Sequence, residues 1–259
     1  MMGDRRQSAA WTSCLAVLLA LPRPGSAADA REALAAGDSA YVHGDLAGAL
    51  PHYQQALAAG TTFGALCRIT RAESELGEDA TGDEQRRLVA SSVAHAREAV
   101  SLAPDSALGH LWLAATLGRK ALKEGPRARL ALSRDVKSEI DRAIAIDPGI
   151  GRAYHVRALW NRKVASLNAV ERLAANAVLG GVPKGASMEN AVRDLERAVE
   201  LEPNYLNHHL ELGRTYLQLK RREDARREFE RVLALPPTSN PRDPHFQREA
   251  RELLARLRD

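Results

Sequence analysis

Ala198-Val-Glu-Leu-Glu-Pro203 is the end of a helix, and the chain writes it four times. Ala99-Val-Ser-Leu-Ala-Pro104, Ala143-Ile-Ala-Ile-Asp-Pro148 and Val232-Leu-Ala-Leu-Pro-Pro237 carry the same pattern. A small or β-branched residue and further aliphatics share one face. Proline then stops the helix, because it lacks the N–H and clashes with the preceding turn. After each of the first three prolines a small residue returns inside a new apolar helix, at Ala114, Ala158 and Gly213. Helix, proline stop and helix in succession predict a solenoid of helical hairpins. Such arrays bind partners far more often than they catalyse.

The composition agrees. Aromatics make up 4% of the 259 residues, so an all-α core must be built from alanine and leucine at close approach. No stretch alternates apolar and polar residues as a half-buried strand would. The formal charge is +4. Much of it comes from Arg5, Arg6 and Arg23, and without the first 28 residues the surface is nearly balanced. That balance argues against nucleic acid as a partner. The arginine-rich stretch from 213 onward reads as a solvated helix face with pairs such as Glu223 and Arg227.

The first repeat, about 30–63, fits the tetratricopeptide (TPR) pattern. Gly37 sits where two helices approach, Gly44-Asp45 makes the turn, and Ala49, Tyr53 and Ala56 form the packing stripe. The repeat at about 204–237 fits best, with Gly213, Tyr216, Ala225, Phe229 and Val232 in the same relative positions. Between them, about 64–104, 105–148 and 149–203 exceed the ~34-residue unit. A loop is expected at Gly77–Glu84, followed by a capping box at Thr81-Gly-Asp-Glu84, and a break at Lys123-Glu-Gly-Pro126. An additional apolar helix is expected at about Leu167–Leu179, ending at Gly180-Gly181. An amphipathic cap, 243–258, closes the array with Phe246, Ala250, Leu253, Leu254 and Leu257.

The N-terminus reads as an export signal over 1–28, with the solenoid domain occupying 29–259. Arg5 and Arg6 precede the apolar run Ala9–Leu21, and small residues follow at Gly25-Ser26-Ala27-Ala28. Cleavage is expected near Ala27 or Ala28. Arg5-Arg6 leaves both the general secretory and the twin-arginine route open. Removal of the signal leaves Cys67 alone on an apolar helix face, a small buried side chain with no disulfide partner.

No residue set argues for an enzyme. There is no His-Glu-x-x-His or paired-cysteine spacing for a metal, and His208-His209 point about 100° apart on a helix. Gly180–Ser187 contains Lys184 but lacks the Gly-Lys-Ser/Thr ending of a phosphate loop. No cofactor is expected. The candidate site is the concave groove, lined by Asn207, Leu210, Arg214 and Leu217 in one repeat. Arg152, His155, Leu159 and Arg162 line it in the preceding one, with Leu111 and Arg119 before that. Aliphatic walls with arginines suit an apolar ligand with an acidic end, or a peptide carboxylate. Trp112, Tyr154 and Trp160 are read as packing anchors.

His110-Leu-Trp112-Leu-Ala114-Ala-Thr-Leu117-Gly118 resembles a repeat helix of the regulator of microtubule dynamics proteins and their bacterial relatives. Leu179-Gly-Gly-Val-Pro183-Lys184-Gly-Ala186-Ser187, Glu202-Pro203-Asn204-Tyr205 and Leu212-Gly213-Arg214-Thr215-Tyr216-Leu217 extend that resemblance over roughly 62–257. An extra glycine between Lys184 and Ala186 departs from the family's pattern. The resemblance implies a TPR-like α-α superhelix. Animal members associate with microtubules and mitochondria, and one branch with membrane contact sites and phospholipid transfer. An exported chain would not meet microtubules. Together the readings predict a non-enzymatic protein-binding scaffold in the periplasm or envelope of a bacterium, with a protein or peptide ligand in the groove. The alternative is a lipid or amphiphile carrier.

Overall fold

The computed structural model describes residues 26–178 and 181–258. The expected export signal therefore lies outside the described residues up to position 25. Twelve helices and no strand occur among the described residues. The first two hairpins are α1 (Ala27–Val42) with α2 (Leu46–Ala59), and α3 (Phe63–Asp79) with α4 (Gly82–Leu102). Next come α5 (Ala107–Lys123) with α6 (Pro126–Ile146), and α7 (Gly151–Ala165) with α9 (Met188–Leu201). The insert α8 (Ala169–Val178) lies between α7 and α9 in sequence. The array ends with α10 (Leu206–Gln218), α11 (Arg222–Ala234) and α12 (Asp243–Arg258). Each hairpin packs on the next, and the first helices also contact one another along the array, α3 against α5 and α5 against α7. The chain is a TPR-like helical solenoid.

The proline stops work as their chemistry demands. α4, α6 and α9 end at Leu102, Ile146 and Leu201, each just ahead of Pro104, Pro148 or Pro203. Where no side chain separates two helices they come close. A Cβ on Gly37 would meet the Tyr53 ring at 2.5 Å, and one on Gly213 would collide with the ring of Phe229. Both rings are fully buried. The Tyr53 hydroxyl keeps a partner by donating to Asp38 at 2.9 Å.

The stretched repeats put their extra residues into helix. α3 and α4 are 17 and 21 residues long, as are α5 and α6, against 13 each for α10 and α11. The loop expected at Gly77–Glu84 shrinks to a break at Ala80–Thr81, because Gln85 reaches back to finish α3. Its Nε2 donates to the carbonyls of Gly77 at 3.0 Å and Ala80 at 2.6 Å. Gly82, at φ 62°, makes the sharp re-entry into α4. Thr81 is the N-cap of α4 but its side chain makes no capping bond, so the expected capping box does not form.

The last helix behaves as a cap and more. Phe246, Ala250 and Leu257 are buried with Leu210, Phe229, Val232 and Leu235, and Leu253 and Leu254 pack at the edge. Each large side chain buried here favours docking by about 1.5–3 kcal/mol. At its start, Arg242 crosses to the end of α3, donating from Nη1 to Asp79 Oδ2 at 3.0 Å and pairing through Nη2 with Glu78 at 3.1 Å. The C-terminal segment thus reaches from the last repeat to the second, and α12 becomes a wall of the concave face.

Candidate functional site: an apolar chamber walled by the cap

A cavity of about 670 Å³ lies between α5, α6, α7, α8, α10 and α12. Small residues on α5 create it. Ala114, Ala115 and Gly118 face it, and a Cβ added to Gly118 would meet nothing within 4 Å. The larger apolar side chains stand opposite: Leu130 and Val136 from α6, Val156, Leu159, Trp160 and Val164 from α7, and Phe246 from α12. Trp160 is held in place by its indole N–H, which donates to Ser133 O at 2.8 Å and Ser133 Oγ at 2.9 Å. The mouth is also apolar. Leu122 is 56% exposed and Val170 on α8 is 76% exposed, yet both line the chamber.

The other end is polar and internally neutralised. Arg119 donates from Nε to Glu78 at 2.5 Å and from Nη1 to Ser74 Oγ at 2.5 Å. Glu78 is shared with Arg242. Arg214 pairs with both Glu211 and Glu249, and Arg162 with Glu211, the Glu211 carbonyl and Thr215 Oγ1. The arginines that the sequence offers as ligand clamps already hold carboxylates. They brace α3, α7, α10 and α12 against one another.

Of the ten residues expected in the groove, Arg119, His155, Leu159, Asn207 and Arg214 line the chamber. Leu111 and Leu210 are instead buried between helices, Leu111 with Ala114, Ile140 and Ala143, Leu210 with Phe229 and Val232. Leu217 packs at the edge of that second cluster. Arg152 turns to Glu202, 3.6 Å away, and Arg162 is buried in its Glu211 pair. A three-to-four residue spacing selects a helix face but leaves its rotation open by one residue, which is enough to exchange groove for core. Residues the sequence reading did not place in the groove include the α6 wall and the rest of the α7 wall, with Trp160 among it, and Glu78, Phe246, Glu249 and Arg242, contributed by the end of α3 and by the cap. An acidic pair at Glu78-Asp79 and a lone arginine before the cap were the available signals.

Trp112 packs beside Leu66, Cys67 and Ala99, and Arg157 lies 5.2 Å over the Tyr154 ring; neither aromatic is on the chamber wall. Four of the histidines are tied to neighbouring helices. His110 and His209 occupy equivalent places, each with Nδ1 on a glutamate of the next helix (Glu139, 2.6 Å; Glu228, 2.7 Å). Their Nε2 atoms face the carbonyls of Pro104 and Pro203 at 2.9 and 3.0 Å. His155 and His208 share a hydrogen bond between their Nδ1 atoms at 2.9 Å. Burial, then the neighbouring His208, holds the His155 imidazole well below the usual histidine range. Burial pushes the Cys67 thiol up to about 11, which makes it a poor nucleophile. Among the described residues no group of three or more His, Cys, Asp or Glu is placed to hold a metal, and no helix is long and apolar enough to cross a membrane.

The fold is similar to a crystal structure of a thermophilic TPR protein from Thermus thermophilus. The two share 19% identity at a TM-score of 0.65, over 87% of this chain and 99% of that one. In sequence the chain is 27% identical to Regulator of microtubule dynamics protein 1 of Caenorhabditis elegans, over 73% of its length and 83% of the relative's. It is 28% identical to the Bos taurus protein of that name over 75% of its length, spanning 62% of the bovine chain. Against Regulator of microtubule dynamics protein 3 of Mus musculus the identity is 28% and the span 42% of the mouse chain. The family described as Regulator of microtubule dynamics protein 1-3 matches residues 34–258. The stretched hairpins, the insert and the cap all fall inside that match, and the chain belongs to the regulator of microtubule dynamics family.

Proposed function

We propose that this protein is a non-enzymatic scaffold that captures the apolar side of a partner polypeptide in the chamber beneath α12. The observation carrying the reading is an apolar cavity of about 670 Å³ that remains open to solvent past Leu122 and Val170. A volume of that order suits a few inserted side chains. The concave face is crossed by Arg242 on its way to α3, so a long segment would enter at the mouth and would not lie along the whole groove. Helix-in-groove capture, with apolar residues on one stripe, is the matching mode.

A second reading is favoured by the same chamber. Walls this apolar, closed on one side by α12, would also accept the tail of an amphiphile. Native mass measurement of the protein purified from its source separates the two. A polypeptide-sized partner, or the bare chain, supports the scaffold. A stoichiometric adduct of lipid size supports a carrier.

We further propose export to the bacterial envelope, supported by Arg5-Arg6, the Ala9–Leu21 run and the small residues through Ala28. Sequencing the N-terminus of the purified protein tests it: a start at Ala28 or Asp29 agrees, and a start at Met1 does not.

A further inference from the structure

We infer that the partner segment carries carboxylates beside its apolar stripe and that Lys163 and Arg129 at the chamber mouth read them. This rests on the protein-capture reading above.

The inference follows from which charges are already spent. Arg119, Arg214 and Arg242 line the chamber, and each is paired with a glutamate or aspartate. Admitting an acidic ligand to that inner end would break these pairs and leave the carboxylates of Glu78, Glu211 and Glu249 without their cations. The two remaining lysine and arginine side chains on the wall differ. Lys163, exposed in the last turn of α7, has no hydrogen bond or ion pair among the described residues. Arg129 donates only to backbone carbonyls, Nε to Ala121 at 3.2 Å and Nη2 to Glu124 at 2.9 Å. Its charge meets no carboxylate among the described residues.

The lining acid on α8 is Glu171, which has a backbone partner but no cation among the described residues. Its carboxylate accepts from the Asn168 amide at 2.9 Å at the start of α8. Lys123 and Arg127 are exposed beside the lining residues Leu122 and Pro126, with Glu124 between them. Uncompensated cations next to exposed Leu122 and Val170 complement an acidic amphipathic segment, with apolar side chains inward and carboxylates outward.

The probes are three short helical peptides with an identical Leu/Phe stripe and a polar face of glutamate, glutamine or lysine, followed by fluorescence anisotropy. The glutamate peptide should bind about tenfold tighter than the glutamine peptide, as expected for two solvent-accessible pairs. The advantage should shrink as ionic strength rises. The double substitution Lys163→Gln with Arg129→Gln should bring the glutamate peptide to the glutamine level and leave the glutamine peptide unchanged. Lys163 is exposed and Arg129 half-buried against the end of α5, so circular dichroism and denaturant unfolding check the fold of each single variant. Equal binding of glutamate and glutamine peptides, or an advantage that survives the double substitution, overturns the inference. If those equal affinities are both lost in Leu159→Arg, the capture reading stands without it. If no peptide binds while dodecanoate does, both are overturned and the occupant is a small amphiphile.

Discussion

Arg242 Nη1 lies 3.0 Å from Asp79 Oδ2, a contact between residues 163 positions apart. It joins the entry of the cap to the end of α3, the first helix of the second repeat. An open solenoid contacts only its neighbours. Here the chain closes on itself, and the closing element forms a wall of the binding chamber.

Breaking that contact should loosen the cap locally. Arg242 is largely buried, Glu78 one-third exposed and Asp79 mostly exposed, so losing both pairs in Arg242→Ala should cost about 1–2 kcal/mol globally. Hydrogen exchange is the more sensitive reading. Amides at the start of α12 should exchange faster while those of α1 and α2 stay unchanged. Uniform protection throughout would mean that the apolar contacts of Phe246, Ala250 and Leu257 and the Arg214–Glu249 pair hold the helix without Arg242.

Gly37→Ala and Gly213→Ala set two effects against each other. Alanine favours a helix by up to about 1 kcal/mol over glycine. Overpacking against Tyr53 or Phe229 costs about 1–3 kcal/mol. Packing should win, and denaturant unfolding should show a net loss at both sites. Gly118→Ala is the control: the space beside it is open, so stability should hold or rise. A gain at Gly213 would contradict the close helix approach.

The His155–His208 pair predicts acid sensitivity. Their Nδ1–Nδ1 bond needs at least one ring to accept, which protonating both would forbid. Burial lowers both pKa values below the ordinary 6.5; His208 adds to the shift in His155, while Glu202 opposes the shift in His208. Arg119 and Arg162 also disfavour a charge on His155, as His209 and Arg152 do on His208. The unfolded chain therefore binds protons first as pH falls. Their stabilisation is present above about 6.5 and is lost progressively below it. His95 runs the other way, since its bond to Glu73 raises its pKa. Urea unfolding from about pH 7.5 to 5.5 should show a steeper acid loss in the wild type than in His155→Asn. Parallel curves would exclude the pair as the source.

The hairpins and their ends were legible because helix stops, tight glycines and packing stripes are local patterns. Pro104, Pro148 and Pro203 mark helix ends, and Gly213 and Phe229 mark a close crossing. Two kinds of information are not local. Arg119 and Arg214 read as free cations because Glu78 and Glu249 are supplied by other helices. The cap reads as the end of a stack because the superhelical curvature that brings Arg242 to Asp79 accumulates over all the repeats. Helix rotation is the third limit: Leu111 and Leu210 sit one step from the groove face and belong to the core.

The most direct test of the chamber as the capture site is photo-crosslinking from benzoylphenylalanine placed at Leu159, compared with the same group at Leu102. Leu159 lines the chamber, whereas Leu102 is exposed at the end of α4 and is not part of the wall. The account predicts a polypeptide adduct from position 159 that is absent from 102 and is competed by the glutamate-faced peptide. Equal labelling from the two positions, or adducts of lipid mass alone at 159, would contradict it.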